Sequence, residues 1–204
     1  MTNERVVEVP WALAQLPQSG VVLDVGSCEA TYLAAIVGPG REIHCLDPRD
    51  CSKSLPQGVT FHHQSIVGND LNACSFDAVL FLSTLEHIGL PTYGQPLFCQ
   101  GDRLALAETA RLLRPGGRLV VTLPVGRSRM TTWFRQYSTA DLEILFREWI
   151  WEVCYWGYED DRFVPIEAGD VDGFEYRETF EQESFGAGAV AGIRAEPRAR
   201  ISAT

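Results

Sequence analysis

The sequence predicts an α/β domain built on a parallel sheet wound on both faces. Three observations carry that expectation. Between residues 21 and 126, short apolar runs alternate with stretches of helical periodicity, the pattern of parallel strands joined by helical crossovers. The first run, Val21-Val22-Leu23-Asp24-Val25, stops at Gly26, and helix-type spacing resumes at Glu29. A length of 204 residues with 46% hydrophobic and 22% charged side chains suits one such domain spanning residues 1–204.

Each element has its own signal. "VPWALAQLP" (9–17) is amphipathic. Residues 1–20 are therefore expected to form an N-terminal helix that packs on the sheet edge or lids the site. Strands are expected over residues 21–25, 42–46, 59–63, 76–82 and 117–123, with helices near 30–37 and 103–113. "RPGG" (114–117) ends a helix and starts a strand. In "YSTADLEILF", Ser138 is an expected N-cap, with Asp141 three positions on. "WIWEVCYW" (149–156) is rich enough in aromatic and β-branched residues for a sixth strand, and "GAGAVAGIRAE" (186–196) suits a seventh. The acidic, aromatic stretch 156–185 is long for a loop and is expected to cover the site. Residues 197–204 are expected to fray.

Charge and cysteine usage exclude several function classes. The net charge is -10, and residues 159–183 alone hold ten acidic residues against two arginines. No basic face of the kind a phosphate backbone requires stands out, so nucleic acid is not an expected partner. No apolar run is long enough for a membrane span. Six cysteines, at positions 28, 45, 51, 74, 99 and 154, are scattered without a CxxC pair. They read as free thiols in a reducing cytoplasm, and no metal site is expected from their spacing.

The turn after the first strand reads Gly-Ser-Cys-Glu-Ala-Thr from Gly26. A nicotinamide-binding turn wants further glycines where Cys28 and Thr31 stand, so that the backbone can approach a pyrophosphate. Glu29 would also set negative charge beside that group. A cofactor without a pyrophosphate needs less: an open turn, small side chains and a carboxylate for a ribose. Asp47 ends the second strand in "IHCLDP", 21 residues after Gly26, where an acidic residue can accept ribose hydroxyls.

These features together resemble the class I S-adenosylmethionine (SAM)-dependent methyltransferases. The resemblance rests on Asp24 and Gly26 in the first motif, on Asp47, on "SFDAVLFLSTLEHIG" (75–89), and on "ETARLLRPGGRLVVTLPVG" (108–126). The chain departs from the family's first motif at Cys28 and Ala30. A narrower likeness, through "EHIGLPTYGQPLFCQGD", "LPVG" and "FRQY", is to small bacterial methyltransferases found near polysaccharide or natural-product genes. The resemblance implies a Rossmann-like three-layer sandwich, with a seven-stranded, mostly parallel sheet whose last strand is antiparallel. It implies SAM as cofactor, bordered by Asp24, Gly26, Ser27 and Cys28, with Asp47 on the ribose; the other reading of Asp24 is a strand-end turn residue, and that of Asp47 a turn former before Pro48. Pro48 and the loop Gln64-Ser65-Ile66 would meet the adenine, and Ser83 would close the set at the fourth strand.

Methyl transfer from a sulfonium needs alignment, and an oxygen nucleophile must also lose a proton. His87 follows the fourth strand and is the candidate base; its other reading is a residue that orders the loop. Glu86, Tyr93, Asp102, Arg135 and Tyr137 lie in segments expected to border the substrate mouth. The leading expectation is methylation of a small-molecule acceptor, at a hydroxyl of a sugar or natural product, with a homodimer as candidate assembly. The alternative is a catalytically silent subunit of the same fold that binds a partner protein. A nicotinamide oxidoreductase is the third reading.

Overall fold

The computed structural model describes residues 3–98, 100–179 and 184–198. Helix α1 spans Arg5–Gln15 and leads to strand β1 (Gly20–Val25), a 3-10 turn (Ser27–Glu29), helix α2 (Leu33–Ile36) and strands β2 (Arg41–Asp47), β3 (Val59–His63) and β4 (Phe76–Leu82). Helix α3 (Gly101–Leu112) runs directly into β5 (Leu113–Val125). A two-stranded ribbon, β6 (Arg129–Met130) with β7 (Arg135–Gln136), precedes helix α4 (Thr139–Leu145). Strands β8 (Trp149–Glu159) and β9 (Arg162–Ile166) follow, then a second ribbon of β10 (Arg177–Thr179) and β11 (Ser184–Gly186), and finally β12 (Ala189–Pro197).

The main sheet has the order β3-β2-β1-β4-β5-β12-β8-β9. Strands β1 to β5 are parallel where they pair. Strand β12 slots antiparallel between β5 and β8. The sheet is therefore mostly parallel with an antiparallel end, and it has eight strands where seven are expected. The extra strand is β9, which lies inside the stretch read as a covering loop. Asp160 and Asp161 both adopt positive φ (47° and 60°), the geometry of a two-residue hairpin turn whose twist matches that of the strands. Glu159 then pairs with Arg162. The density of acids hid that turn.

Two apolar cores make the three layers. Along β4, Val79 and Phe81 join the core that holds Ala105 and Leu106 of α3 and Leu142 and Leu145 of α4. Ala78, Leu80 and Leu82 join the opposite core, with Ala12 of α1 and Leu33 and Ile36 of α2. The alternation follows from the two-residue period of a strand, and a sheet buried on both faces needs apolar residues at both phases.

Helix α1 packs on the sheet: its Trp11 lies against Gly192 of β12, where a Cβ would come within 2.8 Å of the indole. The helix expected over 30–37 is cut to Leu33–Ile36. Ala30 leaves the helical region (φ -81°, ψ 82°), and the Tyr32 hydroxyl is drawn to Asp24 at 2.7 Å. Cys28 and Cys51 form a disulfide across this turn, so these two are not free thiols; Cys45, Cys74 and Cys154 are. Scattered spacing without CxxC hid the pair, because only the fold brings residues 28 and 51 together. Of the tail expected to fray over 197–204, Pro197 instead ends β12 and the Arg198 N–H donates to the Glu148 carbonyl at 3.1 Å; the rest, and Cys99, lie outside the described residues. No helix among the described residues is long and apolar enough to cross a membrane.

Candidate cofactor and acceptor site

Strand order reverses between β1 and β4, which opens a crevice at the carboxyl ends of the strands. Gly26 ends β1 with φ 85°, and its N–H donates to the Leu46 carbonyl at 2.9 Å. A Cβ there would overlap the Thr84 side chain, so glycine is required on steric and backbone grounds. A cavity of about 150 Å³ opens over this turn. Of the residues expected at the cofactor, Gly26, Asp47, Pro48, Ser65, Ile66 and Ser83 line it.

Four others do not line it. Asp24 is fully buried beneath the turn, where its carboxylate accepts from Ser27 Oγ and from the Tyr32 hydroxyl, each at 2.7 Å. Burial pushes its pKa up to about 6, although both hydrogen bonds favour the charged form. Ser27 is spent on Asp24. The Cys28 side chain is in the disulfide, while its N–H donates to Asp47 Oδ2 at 3.0 Å. Gln64 bonds Asp70 at the surface. Asp24, Ser27 and Cys28 thus brace the turn from below, a role with the same sequence signature as a ligand contact.

Asp47 is 1% exposed, yet it lines the cavity. Arg49 caps it: the backbone N–H and Nε donate to Oδ1 at 2.9 and 3.1 Å, and Nη2 to Oδ2 at 3.2 Å. The same guanidinium reaches Glu29 at 2.7 Å and lies 4.0 Å from the centroid of the Tyr93 ring. Tyr93, expected near the substrate, donates from its hydroxyl to Glu29 at 3.3 Å. Arg49, Glu29 and Tyr93 therefore clasp the cavity mouth. No sequence motif marks Arg49, although it sits two residues past Asp47.

The far wall comes from the turn after β4. Ser83 has φ 46° and donates from Oγ to Glu8 at 2.6 Å. Glu8, fully buried on α1, also pairs with Arg5 at 3.1 Å. Burial raises its pKa, against the pull of Arg5 and Ser83. The first turn of α1 thus packs and borders the site at once.

His87 lines this cavity and a second, smaller one. Its Nδ1 lies 2.6 Å from the Trp133 carbonyl. A carbonyl only accepts, so Nδ1 carries the hydrogen and the lone pair is on Nε2. Burial lowers the pKa below the usual histidine value, which leaves a neutral imidazole able to take a proton.

The second cavity, about 80 Å³, has Glu86, Trp133, Phe134 and Tyr176 among its walls. Asp102, Arg135 and Tyr137 line neither cavity. They form a buried cluster behind it: the Tyr137 hydroxyl donates to Asp102 at 3.1 Å, and Arg135 Nη1 donates to the Ile88 carbonyl at 2.7 Å. Arg135 holds the turn that carries Glu86 and His87, so its position is one of support. Cys28, Asp47 and Cys51 offer ligand atoms within 4.8 Å of one another, but here the two sulfurs are bonded to each other.

Comparison with solved structures places the fold. The YcgJ protein from Bacillus subtilis is similar at 16% identity, covering 92% of this chain and 97% of that one, with a TM-score of 0.65. The Burkholderia thailandensis 1,6-didemethyltoxoflavin-N1-methyltransferase, solved with 1,6-didemethyltoxoflavin and S-adenosylhomocysteine, is similar at 18% identity, covering 94% and 79%, with a TM-score of 0.59. A SAM-dependent methyltransferase from Methanosarcina mazei matches at 14% identity over 92% and 97%, also with a TM-score of 0.59. No curated protein matches. One family model, described as "Caenorhabditis protein of unknown function, DUF268", matches residues 66–180, just over half of the chain. The chain has the class I SAM-dependent methyltransferase fold, and it belongs to the DUF268 family.

Proposed function

We propose that the protein is a SAM-dependent methyltransferase acting on a small molecule, at a hydroxyl of a sugar or natural product. One observation carries the reading: Gly26, Asp47, Ser65, Ile66 and Ser83 converge on a single cavity at the switch point of the sheet, with His87 on its wall. The residues fit that cofactor. Gly26 keeps the turn free of a Cβ that would collide with Thr84. Asp47 offers a buried carboxylate whose Arg49 side-chain donors can give way to ribose hydroxyls, since that side chain is 30% exposed. Glu29, beside the turn, opposes a pyrophosphate and so disfavours nicotinamide.

When bound, SAM supplies a methyl group activated by a positive sulfur. The chain then has three tasks. Asp47 and the turn at Gly26 hold the cofactor. Tyr93 borders the mouth and limits water. His87, held by the Trp133 carbonyl, accepts the hydroxyl proton at Nε2.

Calorimetric titration with SAM, S-adenosylhomocysteine and NADH tests the reading. Micromolar binding of the first two, and none of NADH, is expected. Binding of NADH alone would overturn it.

A further inference from the structure

The second cavity contains more acid than the fold requires. Glu86 is 3% exposed and hangs from a turn that Arg135 fixes through the carbonyls of Glu86 and Ile88. Its Oε1 lies 3.9 Å from His87 Nε2. Its Oε2 is buried and has no hydrogen-bond partner among the described residues, and the same is true of Glu4 Oε2. Both side chains line the cavity.

Arg5 also lines the cavity and attracts both acids, yet neither Oε2 receives a hydrogen bond among the described residues. Arg5 is committed to Glu8 and to the Leu82 carbonyl. Arg177, which approaches Gly186 from the same side as Glu4, donates to the Ala187 carbonyl and lies 3.5 Å from the centroid of the Tyr158 ring. Burial holds the Glu86 carboxyl well above the usual carboxylate range, Glu8 and Glu4 add to that shift, and Arg5 opposes it. Arg5, Ser83 and His87 complete the polar lining, and the rest of the wall is aromatic and aliphatic: Trp133, Phe134 and Tyr176, with Pro124, Ala187 and Val190. An acid floor under aromatic walls favours an organic cation over a neutral or anionic group. The cavity is the smaller of the two, about 80 Å³ against about 150 Å³, and a short aliphatic amine suits it.

We propose that this cavity is the anchoring subsite of the acceptor, and that the acceptor carries a protonated amine received by Glu86. The amine and the hydroxyl are two groups of one molecule: the first sits over Glu86, and the second is presented to His87, which faces both cavities. The identification of this cation as part of the acceptor rests on the reading of the first cavity as the SAM site.

Three probes of one size test it: butylamine, butanol and butyrate, titrated into the full chain by ligand-observed NMR, with and without S-adenosylhomocysteine. Butylamine is expected to bind at least tenfold more tightly than butanol, and butyrate not to bind. Glu86→Gln is expected to erase that preference while leaving S-adenosylhomocysteine affinity unchanged. Should that variant fail to fold, Glu4→Gln, at a partly exposed position, is expected to reduce the preference severalfold. Equal binding of butylamine and butanol while S-adenosylhomocysteine binds would overturn the subsite and leave the cofactor reading standing. A butylamine preference lost in Glu86→Gln, in a protein that ignores S-adenosylhomocysteine, would support the cation subsite and overturn the cofactor reading instead.

Discussion

Arg49 donates to the Asp47 lone pairs that a ribose would need, and that competition separates two residues only two positions apart. Asp47→Ala is expected to weaken S-adenosylhomocysteine binding at least tenfold, because the buried carboxylate is the acceptor. Arg49→Ala is expected to tighten it, because the guanidinium has to leave before a ligand enters. Weaker binding in the second variant would make Arg49 a ligand contact instead. His87→Gln is expected to reduce turnover by about 10²–10⁴-fold with cofactor affinity nearly unchanged. The lowered pKa fixes the sign of the pH profile: activity is present at neutral pH and falls only as pH drops through a value below 6.5. A midpoint above 7 would assign the proton transfer elsewhere. Asp24 has its own signature. Its pKa, raised to about 6 in the folded chain from 3.8, means the native state binds the proton more tightly than the unfolded one. Its contribution is full below pH 3.8 and lost as pH rises through 6, a difference on the order of 3 kcal/mol. Asp24→Asn is expected to flatten that part of the stability curve between pH 4 and 8, as read by chemical denaturation. Asp24 also marks the limit of reading residues from sequence. A strand-end carboxylate has the same signature whether it faces a ligand or its own turn, and only Tyr32 and Ser27 decide which. Glu8 and Arg5 were hidden for a related reason, since an amphipathic helix reads as packing and its first turn meets Ser83 only in the folded chain.

Elements whose signals are local were legible to within a few residues. The capping box is an example: Ser138 accepts from the Asp141 N–H, and Asp141 in turn accepts from the Ser138 N–H at 2.9 Å, as the spacing predicts. Ser138→Ala is expected to cost about 1 kcal/mol, measurable as a shift in the urea midpoint without a change in slope. The elements that were missed depend on contacts across the sheet or on backbone conformation. Helix α2 is short because Ala30 before it and Val37 after it leave helical backbone angles, and β9 follows a turn in which two aspartates take positive φ. Neither cause is visible as periodicity. Tyr158 and Phe163 face each other across the hairpin at 5.2 Å, an alternation that composition alone obscured.

At the scale of the whole molecule, the disulfide ties the turn after β1 to the segment after β2 and so frames Asp47 from both sides. Cys51→Ser is expected to cost about 3 kcal/mol of stability for a bridge spanning 23 residues, and peptide mapping without reductant is expected to recover residues 28 and 51 as one cross-linked fragment. The parallel character of the sheet was legible from the alternation of strands and helices, and right-handed crossovers narrow its order to a few choices. The slot taken by β12 was less so, since an antiparallel insertion follows from no local motif. That slot has a consequence for biosynthesis. Strands β5 and β8 are both finished before β12 emerges, yet neither touches the other in the completed sheet. Until Ala189–Pro197 arrives, the nascent chain presents two open, apolar edges where later there are none, which is the condition under which strands pair with the wrong molecule. A chain released at Gly188 is therefore expected to aggregate during translation, and the interval between completing β8 and admitting β12 is when this protein most needs a chaperone.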